Sequence, residues 1–526
     1  MKRLSLLLLS GSLAIASTGC DQFVDVNQNP NAPETVSANL YLAPMIYNVV
    51  TGPLLDGRFV GQYTQMWTVP GTALPTWTRH GYDQGSDGGG EQWRNAYWHL
   101  GQNLVDMMTI AEREGRWDVL GVGYILKSWG WLSTTQLHGE IIIKEAFTPN
   151  TFFFNFDSQE FAYQEAERLL NEAIKNLQRT DGSVNQAYLA RSDRIYGGDR
   201  TRWLKLAYGM LATLQNQYSN KANYKPLEVI ANVDRSLASN AEDPLLSFGG
   251  TVNDDRNFFG WTRNNVRGYR QTAFVVNLMN GTQFGGAIDP RLSRMLSPAP
   301  DGQYRGYDIN VVGSTQFTAA NTAPNNFYGY TAANGGGPAR YIFDDRTRMP
   351  FILTYAELQF VKAEAAFKVG NRALALQAYA NGIAAHIDFV NARNNDAGQS
   401  PPQITTAERA AFLANPAIVP TAANLTLSHI MSQKFIALWG WGFNEAWMDM
   451  RRYNYTALDP NAPDLQVFRG FTLPTQANIF VDNAGKFAQR IRARFNSEYV
   501  WNRDALAKFG GLDADFHTKP MWITQP

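Results

Sequence analysis

Apolar residues recur at three- and four-residue steps in several separate stretches of this chain, with glycine- and asparagine-rich stretches between them. That spacing predicts amphipathic helices. Residues 91–114 carry Trp93, Tyr97, Leu100, Leu104 and Met108 on one stripe, and 117–137 continue with Leu120, Tyr124, Trp129 and Leu132. Over 158–178, Ser158 is placed to cap the first turn, and Ala162, Ala166, Leu169, Ala173 and Leu177 form the buried stripe. Residues 201–218 repeat the pattern with Trp203, Ala207, Met210 and Leu214. The clearest pair spans 351–390. Leu353, Ala356, Phe360, Ala363 and Phe367 mark a first helix, Gly370-Asn371 a tight turn, and Ala373, Leu376, Ala380, Ile383, Ile387 and Val390 a second. One hairpin cannot bury its own apolar face, so it must stack on others, and its length suits a TPR-like repeat. A last helix is predicted over roughly 425–452.

Two regions break this rhythm. Residues 56–90 are rich in Gly, Thr, Pro and aromatic residues, and 240–350 in Gly, Asn and Tyr. They hold too many rings for disorder, so they read as ordered loops on a helical scaffold, where recognition residues concentrate.

The N-terminus follows a different logic. Lys2 and Arg3 precede an apolar run from Leu4 to Ile15, then Ser17, Thr18, Gly19 and Cys20. This order is that of an export signal over 1–19, with a run too short to span a bilayer. The small residues before Cys20 resemble a bacterial lipobox, which makes the only cysteine of 526 residues the lipidation site. Residues 20–36 then read as a polar, proline-punctuated tether. A lone lipidated cysteine leaves no intramolecular disulfide, so stability rests on burial, for which the chain is long enough.

Lys plus Arg and Asp plus Glu number 46 each, without a basic run, which argues against a nucleic-acid partner. Aromatic residues make up 13% and charged residues 17%, a balance suited to neutral polar ligands held by stacking and hydrogen bonds. The competing expectation for any one ring is a place in the core.

Several motifs in order carry a family resemblance: CDQFVDVNQNPNAP at 20–33, DPRL at 289–292, MPFILTYAELQFVKAEAAFKVGN at 349–371, IMSQKFIALWGWGFNEAWMDMRRYNY at 430–455 and QRIRARFNSEYVWNRDAL at 489–506. Together they resemble the SusD/RagB family of nutrient-binding outer-membrane lipoproteins, SusD-like subgroup. The resemblance implies a mostly α fold, a TPR-like right-handed superhelix of stacked helical hairpins with a loop-rich ligand face, formed here by a single domain over 37–526. It also implies a lipid-anchored protein at the cell surface. Such a protein captures oligosaccharides, or peptides in some members, and delivers them to a SusC-like TonB-dependent transporter. It implies no enzyme activity and no cofactor.

The residues themselves offer little catalytic chemistry. The six histidines form no tight ligand spacing, and no nucleophile elbow, P-loop or dinucleotide fingerprint is present. The run NDDRN at 253–257 offers oxygen atoms but lacks the EF-hand spacing, so no metal site is assigned. Glu357 and Glu364 lie about 10 Å apart by helical rise and read as solvent-facing or structurally hydrogen-bonded rather than as an acid–base pair. Arg451 and Arg452 read as a clasp at a helix C-terminus. Arg492, Arg494 and Glu498 read as a polar network holding the C-terminal segment. Candidate ligand contacts are Trp67, Trp77 and Tyr82 beside Arg79, Asp83 and Gln84 in the first loop region. In the second they are Trp261, Tyr269, Tyr328 and Tyr330 beside Asn264, Asn265, Arg267 and Asn326. A peptide-binding member of the same family and a surface glycoside hydrolase are the alternative functions, followed by a transporter lid without ligand affinity of its own.

Overall fold

The computed structural model describes residues 36–329, 340–396 and 402–526. The signal, Cys20, most of the tether and Tyr330 lie outside the described residues. The longer helices are α1 (Leu42–Tyr63), α2 (Gly101–Arg113), α3 (Trp117–His138), α4 (Gln159–Gln178), α5 (Arg200–Gln217), α6 (Pro226–Asp234), α7 (Tyr355–Lys368), α8 (Arg372–Asn395), α9 (Leu427–Leu438) and α10 (Phe443–Arg452). They pack as successive neighbours: α2 on α3, α3 on α4, α4 on α5, α5 on α6 and α7, and α7 on α8 and α9. Helix α1 lies against α10 and joins the two ends of the chain's core. The fold is mostly α, built from stacked hairpins, as the periodicity predicts. Strands among the described residues are confined to three short antiparallel pairs.

Local chemistry sets the helix ends. Ser158 Oγ accepts from the Phe161 N–H at 3.2 Å, and Asp199 Oδ1 accepts from Thr201 and Arg202 at the start of α5. Thr354 Oγ1 accepts from the Glu357 N–H, so α7 begins at Tyr355, after the predicted start at 351. Gly370 has φ +83°, open to glycine without strain, and Asn371 caps α8 through the Leu374 N–H.

Three expectations change. The helix predicted over 91–114 is a short α turn, Glu91–Arg94, then a π-helical segment, Asn95–Leu100, then α2. The helix predicted over 425–452 is two, α9 and α10, because Gly440 at φ +85° turns the chain through Trp439–Gly442. The loop predicted to start at 56 instead begins as the second half of α1. Gly52, Gly57 and Gly61 hide that helix in the sequence, because glycine is a poor helix former. In the fold they form a groove against which Asn95, Phe443 and Trp67 press so closely that no Cβ fits.

The two loop regions do meet. Strand β1 (Trp67–Thr68) pairs antiparallel with Arg270–Gln271, which brings the first aromatic loop against the second.

The junction of α5, α7, α9 and α10 is polar and buried. Glu364 accepts from Arg452 at 2.8 and 3.1 Å, from the Tyr453 hydroxyl at 2.5 Å and from Asn216 at 2.8 Å. Lys434 Nζ lies 2.8 Å from Asp449, which also binds Arg452. Arg451 donates to the carbonyls of Trp447, Gln136 and Gln489, its guanidinium 3.8 Å from the Trp447 ring centroid. The two arginines clasp the scaffold together. Glu364 has the structural role expected of it, whereas Glu357 is fully buried and neither of its oxygens has a partner.

Candidate ligand-binding cleft

Two π-helical segments, Asn95–Leu100 and Phe495–Tyr499, contribute to the wall of one surface cleft. Such segments are rare, and they occur often at functional sites because the extra residue re-aims side chains. Here the first segment is held at its start by Asp56 of α1, whose carboxylate accepts from the Glu91 and Gln92 N–H groups at 3.1 and 2.7 Å. Burial pushes the Asp56 carboxyl up to about 7. The segment ends where Gly101 takes up φ +36°.

The cleft has a volume of ≈ 550 Å³ and is lined by Trp93, Arg94, Tyr97, Trp98, Ile142, Ala146, Phe147, Phe154, Arg494, Ser497 and Glu498. Its rings are fixed from behind. Tyr97 donates its hydroxyl proton to the Ile142 carbonyl at 2.7 Å and accepts from the Ile142 N–H at 2.8 Å. Trp93 meets the His138 ring edge-on, with centroids 5.1 Å apart. Asn502 binds both backbone groups of Phe154. Trp98, by contrast, is 72% exposed, and Phe152 and Phe153 stand exposed next to Phe154. Glu498, within the second segment, is buried, and desolvation raises its carboxyl above the usual range.

A smaller hollow of ≈ 220 Å³ shares Arg494 as a wall with the cleft. Trp77, Tyr82, Asp83 and Gln84 line one side, Arg492, Phe495 and Tyr499 the other. Asp87 ties the halves together, pairing with Arg494 at 2.8 Å and accepting from Asn496. Tyr82 donates to Asp482 at 3.0 Å and lies under the Arg492 guanidinium, 4.6 Å from its ring centroid. Arg492 also donates to the carbonyls of Gly511, Asp513 and Ala514, which secures the C-terminal segment.

The sequence candidates divide accordingly. Trp77 and Tyr82 line the hollow, Trp77 as its floor with its indole N–H donated to Asp83 at 2.8 Å. Arg79 does not reach it; its guanidinium donates to the carbonyls of Asn478 and Ile479. Trp67 is fully buried, donates to the Gly57 carbonyl, and packs on Phe259, Tyr269, Phe327 and Phe443. Tyr328 is fully buried too, its hydroxyl accepting from the Val266 N–H. These two rings hold the loops to the scaffold and expose no face to a ligand. Tyr269 packs against Trp67, and Asn265 donates to the Phe258 carbonyl within its own loop. Trp261 is 46% exposed but lines neither hollow. A run of contacts, Trp77–Phe59, Arg58 over Phe59 and Phe258, and Arg263 over Phe258, leads from the hollow toward Trp261.

Sequence reasoning missed Trp98 and the Phe152–Phe154 run. Both left a trace. Trp98 stands off the apolar stripe of its helix, and three consecutive phenylalanines interrupt a polar stretch. In the 253–257 run, Asp255 is occupied by the Gly249 N–H and the Thr251 hydroxyl.

The comparisons with known proteins agree on kinship. The family profile SusD-like_2, described as starch-binding associating with outer membrane, matches residues 30–469. No curated protein matches the chain. Among solved structures, a SusD/RagB family protein from Bacteroides thetaiotaomicron is 19% identical, covering 93% of this chain and 99% of that one, with a TM-score of 0.66. A SusD homolog from Bacteroides fragilis is 17% identical, with coverages of 93% and 100% and a TM-score of 0.70. A chitin-binding SusD homolog from Flavobacterium johnsoniae is 19% identical, with coverages of 93% and 98% and a TM-score of 0.65. At these identities the likeness is one of fold. Among the described residues no helix is long and apolar enough to cross a membrane. The profile match extends over most of the chain, in line with the motifs from DPRL to the Arg451-Arg452 helix, and this protein belongs to the SusD-like family.

Proposed function

We propose that this protein is a non-enzymatic binder that holds a glycan segment in the aromatic cleft between the two π-helical segments, at the outer membrane, and delivers it to a SusC-like TonB-dependent transporter. The observation that carries the reading is the exposed Trp98 ring beside a wall of Trp93 and Tyr97, in a cleft that Arg94 and Arg494 also line. A sugar offers an apolar C–H face to such a ring and hydroxyls to the guanidinium groups around it. The family's description as starch-binding and the chitin-binding relative support a glycan over other ligands. Lipid on Cys20 supplies the anchor in this reading.

The test is titration of the purified protein with soluble α-glucans, chitooligosaccharides and peptides by calorimetry, followed by product analysis. The expected result is saturable binding of an intact glycan that Trp98→Ala weakens. Binding of peptides alone would keep the cleft and change the ligand. Cleavage of the glycan would replace the binder with a hydrolase.

A further inference from the structure

Apart from the cleft, α1, α3, α5, α7 and α10 border a cavity of ≈ 80 Å³. Most of its wall is apolar, from Val49, Leu54, Trp129, Met210 and Phe443, yet Glu357 projects into it. Glu357 is 0% exposed, and neither carboxylate oxygen has a hydrogen-bond partner. Asn444 Oδ1 on the same wall is also unpartnered. Donors on the wall are already engaged: Gln136 with Glu445 at 2.8 Å, Ser133 with the Trp129 carbonyl at 2.6 Å, Thr213 with the Gly209 carbonyl at 3.1 Å, and Trp441 with the Ala437 carbonyl at 3.0 Å. The wall therefore carries three buried oxygen atoms without a partner, a costly arrangement in a low-dielectric interior.

The surrounding charge points the same way. Glu357, Glu364, Glu445 and Asp449 share this junction with Lys434, Arg452, Arg451 and Lys368. Lys434 is paired with Asp449, Arg452 with Glu364 and Asp449, and Arg451 donates to backbone carbonyls. Glu357 is left without an ion-pair or hydrogen-bond partner.

We propose that this cavity binds a small monovalent cation, held by Glu357, Asn444 and Glu445 with water completing its shell. The volume admits an ion with a few waters, since one water needs about 10–15 Å³ by this measure. A divalent ion is a poorer fit. Calcium takes six to eight oxygen ligands and magnesium demands a near-ideal octahedron. Among the described residues no three His, Cys, Asp or Glu side chains converge as a ligand set. The role of the ion is to stitch five helices at a point where their own side chains leave acceptors unpaired.

The full-length protein is melted in NaCl, KCl and choline chloride at matched ionic strength. The expected result is a midpoint higher in Na⁺ or K⁺ than in choline, rising by equal steps for each tenfold increase in the binding ion once its Kd is passed. Glu357→Gln should abolish that dependence. Should Glu357→Gln fail to fold, crystals of the unaltered protein soaked in Rb⁺ or Tl⁺ decide the matter through an anomalous peak between Glu357 and Asn444. Equal midpoints in all three salts, or no anomalous peak, would overturn the proposal and leave the cavity to water and a proton.

Discussion

Acidification from pH 7 to 5 should loosen the C-terminal segment 483–492 before it loosens the histidine-free scaffold helix α4. Three buried histidines clamp that segment. His80 Nδ1 accepts from the Ala488 N–H at 3.2 Å, His138 Nδ1 faces the carbonyls of Ile491 and Arg492, and His517 Nε2 meets Asn483 Oδ1 at 2.7 Å. Burial pushes His80 down to about 3 and His138 and His517 to about 4. All three are neutral in the fold and ordinary imidazoles once released. Their stabilisation is complete well above pH 6.5 and is lost as the pH falls through that value, because the released form binds protons the folded form does not. Between pH 7 and 5 each contributes a loss of about 2 kcal/mol, about 6 kcal/mol for the three. Scaffold groups act in both directions. Burial also holds His386 of α8 and His429 of α9 well below the ordinary imidazole range, so α8 and α9 share the acid sensitivity. Burial raises Asp56 and Asp243 to about 7, so each is protonated in the fold at pH 5 while the unfolded chain's carboxylates are not, and these two sites add stability as the pH falls from 7. Hydrogen exchange by mass spectrometry at both pH values, corrected for intrinsic rates, reads the two regions separately. Protection over 483–492 should collapse at pH 5 while α4, which carries no histidine, keeps its own. His138→Asn, which retains a donor but does not titrate, should recover part of the loss. Equal protection in both regions at pH 5, or earlier opening of α4, would refute the argument. Because segment 483–492 leads directly into Arg494 of the cleft wall, ligand affinity should fall over the same range.

Other perturbations separate ligand contact from packing. Trp98→Ala should weaken glycan binding roughly tenfold, ~1.4 kcal/mol, in calorimetry while leaving the melting midpoint unchanged, because the ring is exposed. Trp67→Ala should do the reverse, costing about 3–5 kcal/mol in urea unfolding, since it empties a fully buried site. Glu364→Gln should cost about 3 kcal/mol by the same assay, because it leaves the buried Arg452 with Asp449 alone. Tyr97→Phe should cost about 1–3 kcal/mol and speed exchange of the Ile142 amide, whose N–H loses its acceptor.

What the sequence determined by itself was local. A stripe of apolar residues at helical spacing buries only one way, so α3, α4 and α5 were legible with their ends, and the α7–α8 hairpin with its turn. Ser158 and the Gly370-Asn371 turn do their work within a few residues of themselves. The family was legible for the same reason, through short motifs in fixed order. Other features depended on partners distant in the chain. Helix α1 carries glycines that weaken it alone, and it stands because Asn95, Trp67 and Phe443 fill the groove they leave. Residue type could not distinguish Trp67 from Trp98, since both are rings in aromatic stretches. Trp67 was covered when β1 paired with Arg270–Gln271 and Phe443 closed over it, whereas Trp98 sits in the π-helical segment and stays open to solvent. Exposure is decided by what packs against a side chain, and the cleft exists only because residues some 400 positions apart, such as Asp87 and Asn496, are brought together.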